Sequence, residues 1–286
     1  IISDQRYDSL LEIYEKRFGK RECIGAPIKG GDKERIVLPY WLGSLDKVKK
    51  GNVKELERWT NKYRGPYIIM EKLDGVSALL VQKEGKSKLY TRGNGYEGFE
   101  ITHLLDYINH NVPKNLDIAI RGELVITKKI FGDLFSKKFS NARNLVSGVV
   151  NSKSLDKQVL KYVNFLAYEV VDNKMSIENQ ILLLKNHKIK IVKSEFFKTV
   201  NNDLLDSTLN NFRKESEYEI DGIVVVQTNQ PYVREQGKNP KHVIAFKNIT
   251  DSAETEVEYV EWNKSKYNIL KPRVKIRPVS LSGATI

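Results

Sequence analysis

Tyr67-Ile68-Ile69-Met70-Glu71-Lys72-Leu73-Asp74-Gly75-Val76-Ser77-Ala78-Leu79-Leu80-Val81-Gln82 decides how this chain folds. Two runs, Tyr67–Lys72 and Val76–Gln82, read as strands. The Asp-Gly pair between them reads as a tight turn, where glycine allows close approach to the backbone. A third strand follows at Lys88–Arg92, joined to the second by the hairpin turn Lys83-Glu84-Gly85-Lys86-Ser87.

Upstream of this hairpin, Tyr7, Leu10, Leu11, Tyr14 and Phe18 recur at helical spacing, so residues 3–18 are expected to form a helix capped by Ser3 or Asp4. The stretch Gly19–Arg35, with four Gly, one Pro and mixed charges, reads as a linker, and residues 52–63 as another helix. Downstream, strands are expected at 118–126, 162–171, 218–228, 242–248, 255–262 and 272–279, with helices at 99–110, 128–136 and 176–187. Short strands joined by hairpins among interspersed helices give an α+β fold of mainly antiparallel sheets flanked by helices.

The composition narrows the function. A 40% hydrophobic and 29% charged chain of 286 residues can bury a sizeable core. A net charge of +12 points to a polyanionic partner, although a Lys-, Ile- and Asn-rich composition can also follow from AT-rich coding. Cys23 is the only cysteine, which excludes an intramolecular disulfide and a four-cysteine or two-cysteine, two-histidine zinc site. The four histidines, at 103, 110, 187 and 242, are scattered. No apolar run reaches the roughly 20 residues of a membrane span and no signal peptide opens the chain, so a DNA-containing cytoplasm or nucleus is the expected compartment. Position 1 is Ile, and Ser280–Ile286 does not end an element, so the chain is expected to be part of a longer protein.

The chemistry centres on Lys72-Leu73-Asp74-Gly75. A lysine is a nucleophile only when deprotonated, which neighbouring cations or desolvation at a cleft floor promote. Taken alone, Lys-x-Asp-Gly is also simply a charged turn. Downstream, however, Thr91-Arg92-Gly93-Asn94-Gly95, Arg121-Gly122-Glu123, Glu219-Ile220-Asp221-Gly222 and Ala245-Phe246-Lys247 each place charged or polar groups at the end of an expected strand. In this order and spacing the set resembles the motif series of covalent nucleotidyltransferases, the superfamily of DNA ligases, RNA ligases and capping enzymes.

Within that superfamily the chain resembles the NAD-dependent DNA ligases. The further matches are Ser3-Asp4-Gln5-Arg6-Tyr7-Asp8, Leu38-Pro39-Tyr40-Trp41-Leu42-Gly43-Ser44-Leu45-Asp46, Phe139-Ser140-Asn141-Ala142-Arg143-Asn144, and Glu254-Thr255-Glu256-Val257 through Trp262. The resemblance implies a remnant of a nicotinamide-recognition domain with linker at 1–35, a nucleotidyltransferase domain at 36–250 and the start of an OB fold at 251–286. It implies Lys72 as the adenylated nucleophile, with Asp74 and Lys247 also catalytic. Ser44, Leu45, Arg92, Glu123, Tyr168 and Lys247 would line the AMP site, and Asp4, Tyr7 and Asp8 would meet the nicotinamide half of NAD. Arg143 would touch phosphates or DNA, and Asp221 and Glu123 would hold Mg2+, for which Mn2+ can substitute. The implied substrate is nicked double-stranded DNA, with no membrane partner, and the implied state is a monomer.

Three positions depart from the pattern. Met70 stands where the family has Glu, Val226 where it has a catalytic Lys, and Asn151 where it has Arg. Lys241 or Lys238 is expected to compensate for the missing cations. An ATP-dependent DNA or RNA ligase, which would not need Asp4, Tyr7 and Asp8, and a non-catalytic module binding DNA nicks or ends are the competing readings. Gly93-Asn94-Gly95-Tyr96-Glu97-Gly98 also fits a dinucleotide-binding fingerprint, but the preceding strand belongs to a hairpin rather than a parallel βαβ unit.

Overall fold

The computed structural model describes Arg17 and residues 35–152, 154–171, 173–229, 231, 235–247, 254–264, 270–281 and 284–285. The helix expected over 3–18, with Asp4, Tyr7 and Asp8, lies outside the described residues except at Arg17. The chain divides into two compact units, Ile1–Asn248 and Ile249–Ile286.

In chain order the first unit contributes β1 (Ile36–Val37), β2 (Asp46–Lys49), α1 (Val53–Lys62), β3 (Tyr67–Leu73), β4 (Val76–Lys83), β5 (Lys86–Thr91), β6 (Glu97–Gly98), β7 (Ile118–Val125), α2 (Lys128–Ile130, continued by a π-helical turn at Phe131–Phe135), α3 (Ala142–Asn151), α4 (Lys157–Leu160), β8 (Asn164–Val170), α5 (Ile177–Asn186), β9 (Ser194–Phe197), α6 (Asn202–Glu215), β10 (Ile220–Gln227) and β11 (Val243–Lys247). One sheet has the order β2-β11-β10-β3-β9, another the order β5-β4-β7-β8. Consecutive strands β3 and β4 therefore lie in different sheets, and Asp74-Gly75 is the corner where the chain crosses between them. A larger residue does not fit this corner, because a Cβ on Gly75 would stand 2.4 Å from the Leu124 carbonyl oxygen of β7.

Pairing within both sheets is antiparallel except between β2 and β11. The five-stranded sheet buries Ile69, Ile223, Val225 and Phe246 together with Leu56 and Trp59 of α1 and Leu205, Leu209 and Phe212 of α6. The four-stranded sheet buries Ala78, Leu80, Ile120, Leu124 and Phe165 with Leu145 and Val146 of α3. Each of the Leu, Ile, Val and Phe side chains among these contributes about 1.5–3 kcal/mol relative to exposure. Beside these cores, Leu79 and Tyr90 pack with Leu38 and Leu42 in a small separate cluster.

Residues 99–110 do not form the expected helix; they hold only a 3-10 turn at Thr102–Leu104. The apolar spacing is real, with Ile101, Leu104, Leu105 and Ile108 all buried. Both ends, however, are pinned to neighbouring strands, by Ile101 N–H to Leu89 O at 2.8 Å and by the Asn109–Val163 and Phe165–Asn109 backbone bonds at 2.8 and 2.9 Å. Backbone groups at both ends are thus paired with neighbouring strands rather than with a helical ladder. The Gly-x-Gly-x-x-Gly stretch opens no helix either: Gly93 and Gly95 take positive φ, Asn94 Oδ1 accepts from the amides of Tyr96 and Glu97, and β6 follows.

The second unit contributes the antiparallel ribbon β12 (Val257–Lys264) and β13 (Leu270–Ile276), then the short pair β14 (Ser280–Leu281) and β15 (Ala284–Thr285). One face of the ribbon carries the pairs Val260–Val274 and Trp262–Pro272, the other Tyr259–Lys275 and Glu261–Arg273.

Candidate active site

Lys72 lies one residue before the end of β3, with Gly222 of β10 as its cross-strand partner. Asp221 reaches it through an irregularity. Ile220 pairs with Leu73 and Gly222 with Lys72, so Asp221 is the extra residue of a β-bulge. Bulges of this kind re-aim side chains beside active sites. Its carboxylate accepts from Lys72 Nζ at 2.9 Å (Oδ1) and 3.1 Å (Oδ2), and from Lys247 Nζ at the end of β11 at 2.7 Å (Oδ2). The three side chains remain 28, 23 and 23% exposed respectively for Lys72, Asp221 and Lys247, so the group opens to solvent. Burial works against ionisation of Asp221, but Lys72 and Lys247 outweigh it and hold the carboxyl below its ordinary range.

The sheet corner adds a second ion pair. The amide of Asp74 donates to the Glu219 carbonyl at 2.8 Å, and its carboxylate accepts from Arg143 at 3.0 Å. Arg143 projects from the first turn of α3, which is capped by Asn141 Oδ1 accepting from the Asn144 amide.

The remaining residues come from the four-stranded sheet. Ser77 on β4 and Glu123 on β7 are cross-strand partners. A second bulge lies alongside them: Arg121 pairs with Glu169 and Gly122 with Ala167, so Tyr168 is the extra residue. The Tyr168 hydroxyl is 2.8 Å from Ser77 Oγ and a long 3.5 Å from Glu123 Oε2. Burial pushes Glu123 up to about 7 against the opposing pull of Lys72, Arg92, Arg121 and Arg143. Burial also raises the Tyr168 phenol and, with Arg121 adding to it, lowers Arg92. These mutual influences place Lys72, Arg92, Glu123, Arg143 and Tyr168 in one electrostatic neighbourhood.

Two residues here had no role assigned from sequence. Ser77 holds Tyr168, and Arg121 is a guanidinium only 5% exposed. Arg121 donates to the Gly43 carbonyl at 2.8 Å, faces Glu169 at 3.7 Å and lies 5.7 Å from the Tyr168 ring centroid, while its Nε and one terminal nitrogen make no hydrogen bond. It thus ties the Gly43-Ser44-Leu45 segment, where Ser44 and Leu45 are half-buried, to the Tyr168 side of the site. The signal was available: Arg121 and Glu123 alternate on one strand and so share a face.

The departing positions are placed as follows. Met70 pairs with Val224, and Ile68 with Val226, on the sheet face that carries Lys72; Met70 and Val226 are 3% and 0% exposed. Glu71 points to the other face, where its carboxylate accepts from the Lys193 amide at 3.2 Å. Asn151 is exposed at the end of α3 and bonds back to the Ser147 carbonyl at 2.9 Å. The expected compensation by Lys241 or Lys238 finds no support: Lys241 pairs with Asp46 at 2.9 Å and Lys238 with Glu235 at 2.8 Å, both on exposed surface.

Comparison with known proteins is consistent with this geometry. Residues 42–250 match the family described as NAD-dependent DNA ligase adenylation domain. The DNA ligase of Acanthamoeba polyphaga mimivirus is 40% identical across all of this chain and 45% of its own length. A putative DNA ligase of Invertebrate iridescent virus 6 is 37% identical, with 47% of its length covered, and the DNA ligase of Pelagibacter ubique 32%, also with 47% covered. The chain thus spans about half the length of these relatives. The solved structure named Pmar-Lig_PreS3 shares the fold at a TM-score of 0.51 and 15% identity, over 84% of this chain and 54% of that one.

Proposed function

Since this chain belongs to the family of NAD-dependent DNA ligase adenylation domains, we propose that it carries AMP on Lys72 as the opening step of sealing nicked double-stranded DNA. Lys72 Nζ attacks the α-phosphorus of NAD. The N–P bond forms as the bond to the bridging oxygen breaks, nicotinamide mononucleotide leaves with that electron pair, and Nζ releases a proton. A 5′-phosphate oxygen then takes AMP from Lys72, and the 3′-hydroxyl at the nick displaces AMP to close the strand. The observation that carries this reading is the sharing of one carboxylate, Asp221, by Lys72 and Lys247 at an open sheet end. Lys72 must leave Asp221 to attack, and Lys247 stays to meet charge on the phosphate oxygens, with Arg92 and Arg143 near.

The same reading assigns Ser44, Leu45, Glu123 and Tyr168 to the adenosine side, Asp4, Tyr7 and Asp8 to nicotinamide, and Asp74 to positioning Arg143. Asp221 and Glu123 are the carboxylates proposed to hold Mg2+, or Mn2+ in its place. Mg2+ is commonly held by one or two carboxylates together with phosphates and water. When bound it would offset charge on the phosphates. The net charge of +12 supports a DNA partner, and the apolar face of the β12–β13 ribbon supports reading 251–286 as the opening of an OB fold. No helix among the described residues is long and apolar enough to cross a membrane. We read the protein as acting inside the cell as a monomer.

The test is incubation with NAD or ATP labelled in the adenylate. A covalent adduct from NAD is the expected result. An adduct from ATP alone would favour an ATP-dependent ligase, and no adduct from either a non-catalytic module for DNA nicks or ends.

A further inference from the structure

Arg121 is a buried cation with no part in the transfer of AMP. Register aligns Tyr90 of β5, Leu79 of β4, Arg121 of β7 and Glu169 of β8 in one row across the four-stranded sheet. Ser77 and Glu123 form the next row on the same face, since positions two apart on a strand share a face. Arg121 therefore stands one row behind Glu123. Residues 38–45 run over that row as a strap. Leu38 and Leu42 pack with Leu79 and Tyr90, the Leu38 amide donates to the Tyr96 carbonyl at 2.8 Å, and the Leu42 amide donates to the Gly95 carbonyl at 2.9 Å. Beyond these two ties, the Gly43 carbonyl accepts from a terminal nitrogen of Arg121 at 2.8 Å. The strap is tightly packed there, for an added Cβ on Gly43 would stand 1.8 Å from the Trp41 ring.

An apolar side chain would fill this row without desolvating a charge. Glu169 faces Arg121 at 3.7 Å, beyond hydrogen-bond length, and Nε and one terminal nitrogen of Arg121 find no acceptor among the described residues. Keeping a guanidinium so incompletely satisfied at 5% exposure costs stability. What it supplies in return is directional: the grip on Gly43 and a contact with the Tyr168 ring at 5.7 Å. We propose that Arg121 is a positioning residue of the site, which sets the Ser44-Leu45 wall against the Tyr168 wall so that the two together receive the adenosine half of the dinucleotide. This rests on the adenylation reading above. Lys72, Asp221 and Lys247 stand on the other sheet, so Arg121 governs capture of the nucleotide and not the chemical step.

The test is the rate of labelled-adduct formation by the whole chain across NAD concentrations, in wild type, Arg121→Met, Glu169→Gln and the double variant Arg121→Met/Glu169→Gln. Both single variants break the buried ion pair, but only Arg121→Met releases Gly43. The double variant removes both charges, and serves where Arg121→Met alone fails to fold. Arg121→Met and the double variant should raise the half-saturating NAD concentration about tenfold and keep the saturating rate within about threefold. Glu169→Gln should keep both quantities within about twofold while lowering the unfolding temperature. An equal rise in Glu169→Gln, a lower saturating rate at unchanged half-saturation, or no change in the folded double variant would overturn the proposal. A wild type that forms no adduct would overturn the adenylation reading, and this proposal with it.

Discussion

At the end of the five-stranded sheet, charge is stabilised by pairing: Asp221 serves Lys72 and Lys247 at 2.7–3.1 Å, and each side chain keeps about a quarter of its surface in solvent. On the four-stranded sheet, charge is confined by burial: Glu123 is pushed up to about 7, and Arg121 makes one hydrogen bond while two of its nitrogens make none. The first arrangement is a closed set of partners that the proposed phosphate would have to open. The second is a set of donors and acceptors already desolvated before any ligand arrives, which lowers the cost of reorganisation on binding. Nucleophile and phosphate chemistry fit the first; recognition of the nucleoside fits the second.

The largest expected effect comes from carrying a charge into the apolar part of the first region. Val226→Lys alone places a cation at a fully buried position on the Lys72 face, and should cost roughly 3–5 kcal/mol in denaturant titration. Adding Met70→Glu should recover part of that loss, because positions 70 and 226 lie diagonally on the same face of neighbouring strands. Equal instability of the single and double variants would show that the two positions do not communicate.

Asp221→Asn should follow, at roughly 1–2 kcal/mol and less in high salt, because it leaves two neighbouring lysines without their common carboxylate while they remain part-exposed. The pH dependence separates the two regions. The lowered pKa of Asp221 makes its stabilisation present above the ordinary carboxyl range and lost as pH falls through the folded value, so the gap between wild type and Asp221→Asn should close in acid. Glu123 has the opposite sign. Its pKa rises from 4.5 to about 7, so its contribution is fully present below about 4.5 and is lost as pH rises through about 7. Thermal unfolding of Glu123→Gln should lack that limb, and a wild-type profile flat from pH 4.5 to 7 would contradict the burial account. The smallest effect belongs to Lys241→Ala, which removes an exposed pair with Asp46 and should stay within ~0.5 kcal/mol with adduct formation unchanged.

How much of this was legible in the sequence depends on how local the determinant is. The strand–turn–strand at Lys72, the hairpin to β5, and the strands bearing Glu123, Tyr168, Asp221 and Lys247 all follow from short apolar runs and turn residues, and the structure has them. Helix α6 was missed although Leu205, Leu209 and Phe212 repeat at helical spacing behind the cap Asn201. The missed α3 mixes Val, Asn, Ser and Gly, which have weak helix propensity, so tertiary packing of Leu145 and Val146 decides it. The bulges at Asp221 and Tyr168 cannot be read from one strand, because a bulge is a property of two strands in register. For the same reason the place of β2 beside β11 carries no local signal, since it arises from a parallel pairing between segments far apart in the chain.

Lys72 is the residue proposed to take AMP. The direct measurement is peptide mapping by mass spectrometry after incubation with NAD, run beside Lys72→Ala. Adenylate is expected on the peptide containing Lys72 and nowhere else, with no adduct in Lys72→Ala and an unchanged unfolding transition, since Asp221 keeps Lys247 as a partner. Adenylate on another lysine, or an adduct surviving in Lys72→Ala, would contradict it.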